Sequence, residues 1–196
     1  MTDEGERHPH LKSLALLEEL IDEAELDYDK VLDPGPLSWS TGLPVRVVRA
    51  GLSRRPMPEM NFMEQVAQRL EFLRTTRLQS DGSQFSRAEI GQAAGVTQQW
   101  IGEILNGRKI PKLEHAALIE DFFKVPRGFL TATPSQALDR ALRERLEAEQ
   151  AHSLAGLKEK YRLRRVSFRG APEKLAETLA LMKALMDDIV LDDQET

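Results

Sequence analysis

Apolar residues recur at helical spacing over most of the chain, broken by short runs of turn chemistry. In residues 11–32, Leu14, Leu17, Ile21, Ala24, Tyr28 and Val31 follow one another in steps of three and four. That spacing predicts one amphipathic helix, weakened late by Asp27 and Asp29. The stretch "DPGPLSWSTGLP" then reads as turn or linker, being rich in Pro, Gly and Ser. Val45, Val47 and Val48 predict a short strand or extended arm flanked by Arg46 and Arg49. Pro56 and Pro58 exclude regular structure around "SRRPMPEM".

From Asn61 to Ala132 the pattern predicts five short helices. The first covers about Phe62–Arg77, with Phe62, Val66, Leu70 and Leu73 inward. Ser86 and Glu89 form a capping-box pair that opens the second, and Gly95 ends it in a tight turn. Thr97 caps the third, which stops at Asn106–Gly107. The fourth runs over about Lys112–Phe123, with Leu113, Ala116, Ala117, Ile119 and Phe122 as its apolar positions. Pro126 opens a fifth, "PRGFLTA". Two amphipathic helices follow a break at "TATPS". Leu138, Leu142 and Leu146 make the stripe of one, and Leu175, Leu179, Met182, Met186 and Ile189 that of the other. Alone they have little to pack against, so an intersubunit bundle is expected. The pattern divides the chain into an N-terminal helix and arm (1–60), a five-helix domain (61–133) and a C-terminal dimerisation region (134–196).

Charge changes this picture more than composition does. The 196 residues are 41% hydrophobic and 30% charged, an ordinary soluble profile, with no apolar run long enough for a membrane span. There are no cysteines, which excludes disulfides and thiol nucleophiles and fits a reducing cytoplasm. The polar, acidic start "MTDEGERHPH" is not a signal peptide. The net charge of −5 is unevenly spread. Residues 1–33 hold 3 basic and 11 acidic side chains, whereas residues 34–61 hold 4 and 1. The acidity is mostly N-terminal, and the remainder can present positive surface.

The chemistry concentrates in "GVTQQWIGEILNG", Gly95–Gly107. Two short helices joined by a turn containing Gly are a helix-turn-helix candidate. Gly91 sits where a bulky side chain would block the crossing helix, and Val96 plugs the core. Ile101, Ile104 and Leu105 form the inward face of the third helix. Thr97, Gln98 and Gln99 are left outside at its start, with Gly102 and Glu103 further along. A glutamine amide presents donor and acceptor side by side and matches N6 and N7 of adenine in the major groove. The start of a recognition helix is the part that reaches base edges. Glu103 can accept from a cytosine amino group or repel phosphate.

The stretch "SRAEIGQAAGVTQQWIGEILNGRKIPKLEHAALIEDFFKVPRGFL", Ser86–Leu130, resembles the XRE family of transcriptional regulators, also called the Cro/phage-repressor family. The match covers about residues 61–132. The resemblance implies an all-α, five-helix lambda-repressor-like DNA-binding domain, here with an N-terminal extension and C-terminal dimerisation helices. It implies double-stranded DNA as partner, with Thr97, Gln98, Gln99 and Glu103 facing bases. It further implies phosphate contacts from Ser86, Arg87, Asn106, Arg108, Lys109 and Lys112. Trp100 departs from the small or polar residue usual there; it stacks on a sugar, meets a thymine methyl, or packs. The tail is similar to that of actinobacterial EspR-type regulators, which implies a homodimer paired through Leu138, Leu142, Leu146, Leu175, Leu179, Met182 and Met186. The expected location is the cytoplasm, on the nucleoid.

Other features carry less. Arg46, Arg49, Arg54 and Arg55 are either a minor-groove arm or part of a strand on the body. The basic run Lys158–Arg169 is either a solvated loop or a contact to flanking phosphates. His8 and His10 flank Pro9, and His115 and His152 stand alone, so no metal site is expected. No catalytic grouping or phosphate loop appears; neither enzyme activity nor a cofactor is expected. The competing class is an interaction module, an adaptor or antitoxin that holds a protein partner with its acidic N-terminal helix.

Overall fold

The computed structural model describes residues 8–58, 60–160 and 181. Among them there are helices and turns and no strand. In chain order the helices are α1 (Pro9–Glu23), α2 (Tyr28–Val31), α3 (Pro34–Thr41), α4 (Val45–Leu52), α5 (Phe62–Thr76), α6 (Arg87–Ala94), α7 (Gln98–Leu105), α8 (Leu113–Phe122) and α9 (Pro134–Lys160). The chain forms two compact units. Among the described residues, one holds those below 38 together with those from 138 onward; the other is Ser38–Ala137.

In the first unit the predicted helix over 11–32 is cut short. α1 ends at Glu23, Glu25 takes a left-handed φ of 52°, and Asp27 starts α2 afresh. The Asp27 carboxylate accepts from the backbone N–H groups of Asp29 and Lys30 at 3.1 and 3.3 Å. A side chain that caps a new helix in this way competes with continuation of the old one. Tyr28, expected inward, is exposed. α1 buries His10, Ser13, Leu14, Leu17, Leu20 and Ile21. From α9 the same unit buries Leu138, Leu142 and Leu146. The Ser13 hydroxyl donates to Asp139 at 2.6 Å, and Arg145 donates to the Lys30 carbonyl at 3.2 Å. Of the expected dimer face, Leu138, Leu142 and Leu146 are buried within their own unit. Leu175, Leu179, Met182 and Met186 lie outside the described residues.

Two further expectations fail in residues 33–55. "DPGPLSWSTGLP" is not a linker but holds α3. Asp33 accepts from the Gly35 N–H at 2.8 Å, and Pro34 and Pro36 occupy a first turn whose N–H groups have no helical acceptor. "VRVVRAGL" is not a strand but α4, with Val47, Val48 and Gly51 buried and Arg46 and Arg49 exposed. Adjacent buried residues followed by a third at i+4 fit a helical face, whereas a half-buried strand alternates.

The second unit is centred on α5 to α8. Val66, Leu70 and Leu73 pack with Ile90, Ala94, Ile101, Ile104, Ala116, Ile119 and Phe123. Phe62 and Leu113, expected inward, are 42% and 83% exposed at the first positions of their helices. The predicted fifth helix, "PRGFLTA", is a pair of turns. Gly128 stands at φ 78°, and the backbone there is engaged by three buried side chains. Glu120 accepts from the N–H groups of Gly128 and Leu130 at 3.0 and 2.9 Å. Arg69 donates to the Phe129 carbonyl at 2.7 Å and to that of Ala132, which also receives Gln65 Nε2 at 2.7 Å. Side chains thus take the groups that a helical ladder would have used.

This clamp is testable. Removing Glu120 strands buried N–H groups, so Glu120→Ala is expected to lower stability by about 2–4 kcal/mol in urea unfolding. Asp121→Ala breaks only the exposed 2.6 Å pair with Arg127 and should stay within about 0.5 kcal/mol. Equal losses from the two variants would sink the clamp.

Candidate nucleic-acid interface

The Ser86 hydroxyl accepts from the Glu89 N–H at 3.2 Å and donates to the Glu89 carboxylate at 2.6 Å. The same carboxylate accepts the Ser86 N–H at 2.8 Å, which completes the capping box of α6. These bonds, the hydroxyl's first, hold the Glu89 carboxyl below its ordinary range. They also use both Ser86 donors, so its implied phosphate contact would have to displace the cap.

α6 ends at Gly95, φ 68°, and the chain turns at once. The Val96 N–H returns to the Gly91 carbonyl at 2.8 Å. A Cβ on Gly91 would lie 2.8 Å from the Val96 carbonyl oxygen and 3.2 Å from the Thr97 carbonyl carbon. α6 therefore meets the start of α7 backbone to backbone. The Thr97 Oγ1 caps α7 by accepting from the Trp100 N–H at 3.2 Å. Ile101 and Ile104 are fully buried and fix which face turns inward. Thr97, Gln98 and Gln99 are consequently exposed side by side in the opening turn. Among the described residues neither glutamine amide has a partner.

The rest of the implied set surrounds this turn. Arg87 is exposed on α6 and its guanidinium lies over Gly102, where a Cβ would come 3.3 Å from Nη1. Gly102 thus leaves room for the arginine beside the recognition helix, a contact with no sequence signal. Glu103 is half-exposed and holds Lys109 Nζ at 2.5 Å, so its charge is locally balanced. Asn106, Arg108 and Lys112 are exposed beyond the end of α7. Trp100 is partly buried against the core, edge-on to His115 at 5.3 Å between ring centroids. His115 Nδ1 lies 3.1 Å from the Ala94 carbonyl. A carbonyl only accepts, so that nitrogen carries the proton. His115 thereby ties α8 to the end of α6 beneath the recognition helix.

A turn of this geometry with two exposed amides at the head of its second helix defines a class, the DNA-binding helix-turn-helix domains. Residues 73–130 match the family model described as helix-turn-helix, and this segment is a helix-turn-helix domain of the XRE family. The chain matches no curated protein and no solved structure. No helix among the described residues is long and apolar enough to cross a membrane.

The two helical glycines should respond oppositely to alanine. Gly91→Ala sets a Cβ against backbone and should cost about 1–3 kcal/mol. Gly102→Ala meets the far end of an exposed arginine that can move, and should be neutral or stabilising by up to about 1 kcal/mol. Thermal unfolding of both variants checks this; a tolerant Gly91 would mean that the two helices do not meet backbone to backbone.

Proposed function

We propose that the protein is a sequence-specific transcriptional regulator that binds double-stranded DNA with α7 in the major groove. The observation that carries this reading is the pair of exposed, unengaged amides of Gln98 and Gln99 on a helix whose other face is locked in the core. Each amide can pair with N6 and N7 of adenine. Thr97 and Glu103 border the same surface, and Glu103 reaches a cytosine amino group once it shares or releases Lys109. Arg87, Asn106, Arg108 and Lys112 supply phosphate contacts on either side, which set register without reading sequence. Regulation follows from occupancy, by blocking or recruiting polymerase.

The protein acts as a dimer, with half-sites a helical turn or a multiple of it apart. Pairing uses a surface other than the leucine stripe of α9, which is already covered. The adaptor reading loses its main support for the same reason. The apolar stripe of α1 that would hold a partner is buried in the chain's own unit.

Fluorescence anisotropy against a fragment enriched from genomic DNA and a scrambled control tests the reading head. Gln98→Ala/Gln99→Ala should lose about 1–3 kcal/mol on the enriched fragment per good bidentate pairing removed, and most of its preference for it. Equal binding of both duplexes by wild type would refute base reading. Sedimentation equilibrium should return twice the chain mass of 22.2 kDa; a monomer both free and on DNA would overturn the dimer alone.

A further inference from the structure

Resting on that reading, we propose that Arg46, Arg49 and Arg55 form a second contact for the DNA sugar-phosphate backbone, outside the segment that matches the helix-turn-helix family. Three observations support it. The first is charge placement. Ser38–Ala137 holds 13 basic and 9 acidic side chains, while the rest of the chain holds 14 and 23. Four of those 13, all arginine, fall between residues 46 and 55, and no acidic residue occurs from 38 to 58.

The second is local inconsistency. Arg46 stands in the first turn of α4, where the helix dipole disfavours a cation. Arg49 lies three residues on, so two like charges share one face and repel. Both are exposed, as is Arg55, and among the described residues none of the three has an ion pair or side-chain hydrogen bond. Helix stability does not explain Arg46; an anionic ligand relieves both penalties. The third is rigidity. Val47 and Val48 are buried, and α4 belongs to the same compact unit as the helix-turn-helix. Arg46 and Arg49 are therefore held in place by a packed helix, and Arg55 follows close behind its end, its backbone N–H bonded to the Ala50 carbonyl at 2.8 Å. The guanidinium fork suits phosphate oxygens, which explains arginine throughout.

The test compares two triple variants, R46Q/R49Q/R55Q and R46K/R49K/R55K, by titrating a 30-bp mixed-sequence duplex at about 50 to 200 mM salt. The glutamine variant should lower the slope of log affinity on log salt by about 0.9 for each phosphate it no longer neutralises, to a maximum near 2.7. It should bind roughly tenfold more weakly at the low-salt end, while keeping its preference for the enriched fragment. The lysine variant should retain most of the slope, which separates removal of charge from damage to the fold. A wild-type slope and affinity in the glutamine variant would overturn the second contact, provided Gln98→Ala/Gln99→Ala still loses its preference. Absence of DNA binding by wild type would instead remove the proposed function, and this inference with it.

Discussion

The contact between α6 and the chain that opens α7 has no room for a side chain, and the whole candidate interface depends on it. With 2.8 Å between the Val96 oxygen and the position of a Gly91 Cβ, the two helices are set by their backbones. Gly95 makes the reversal possible at φ 68°, a conformation that costs a side-chain-bearing residue about 1–2 kcal/mol. Once the angle is fixed, Ile101 and Ile104 can enter the core in only one orientation. At about 100° per residue, Gln99 then points away from the core, while Gln98, one turn before Ile101, is exposed as the first residue of the helix. Trp100 and His115 reinforce this from below, since the imidazole bonded to Ala94 braces the indole on the recognition helix. The position of the two amides is thus a consequence of packing, not of any interaction the amides make.

A different solution closes the other side of the domain. Arg69 and Glu120 are among its most buried residues, 0% and 2% exposed. Burying charge is costly unless each group is well engaged. Both are engaged here by backbone of one short segment, 128–132, the arginine through carbonyls and the glutamate through N–H groups. That segment carries Phe129, whose ring would touch a Cβ on Gly42 at 2.6 Å. Gly42 follows α3, and Trp39 of α3 lies edge-on to Phe72 of α5 with Arg77 stacked 3.9 Å from its ring. The clamp therefore holds in place the residues on which α3 packs. The unit that holds the helix-turn-helix also includes α4, upstream of the family match.

What was legible in the sequence follows from the range of the forces involved. Capping at Ser86 and Thr97, the Gly95 turn and the buried positions inside α5 to α8 are local effects, decided within four residues, and they can be read directly, except at the first positions of α5 and α8, where Phe62 and Leu113 are exposed. α3 and α4 cannot, because prolines and valines have two meanings. Pro34 and Pro36 break a helix interior but suit a first turn, and Val47 and Val48 serve strand or helix according to which face is buried. The missing fifth helix depends on Arg69 and Glu120, which lie outside that segment, so nothing within "PRGFLTA" reveals it. The α9 leucines are ambiguous for a related reason. Their stripe announces that it will be buried, but periodicity does not say by what, and they are buried in the unit that also holds α1. The exposed amides are legible as a surface because the buried face of α7 is.

The charge of the molecule separates two tasks that DNA recognition combines. On the proposed function, the groups that would read bases are neutral amides, together with one carboxylate whose charge Lys109 balances at 2.5 Å. Such groups discriminate through hydrogen-bond geometry and contribute little to attraction at a distance. Attraction must then come from cations elsewhere on the unit, since the chain as a whole carries −5 and would be repelled. Arg87, Arg108 and Lys112, all exposed near α7, would supply part of it under that reading. The unpaired arginines of α4 lie in the same unit, yet outside residues 73–130 of the family match. If both proposals hold, affinity and its dependence on salt vary with residues 46–55 while sequence preference stays with residues 97–103. Evolution of one property then leaves the other intact, because the two groups of side chains are separate and act through different terms of the binding free energy.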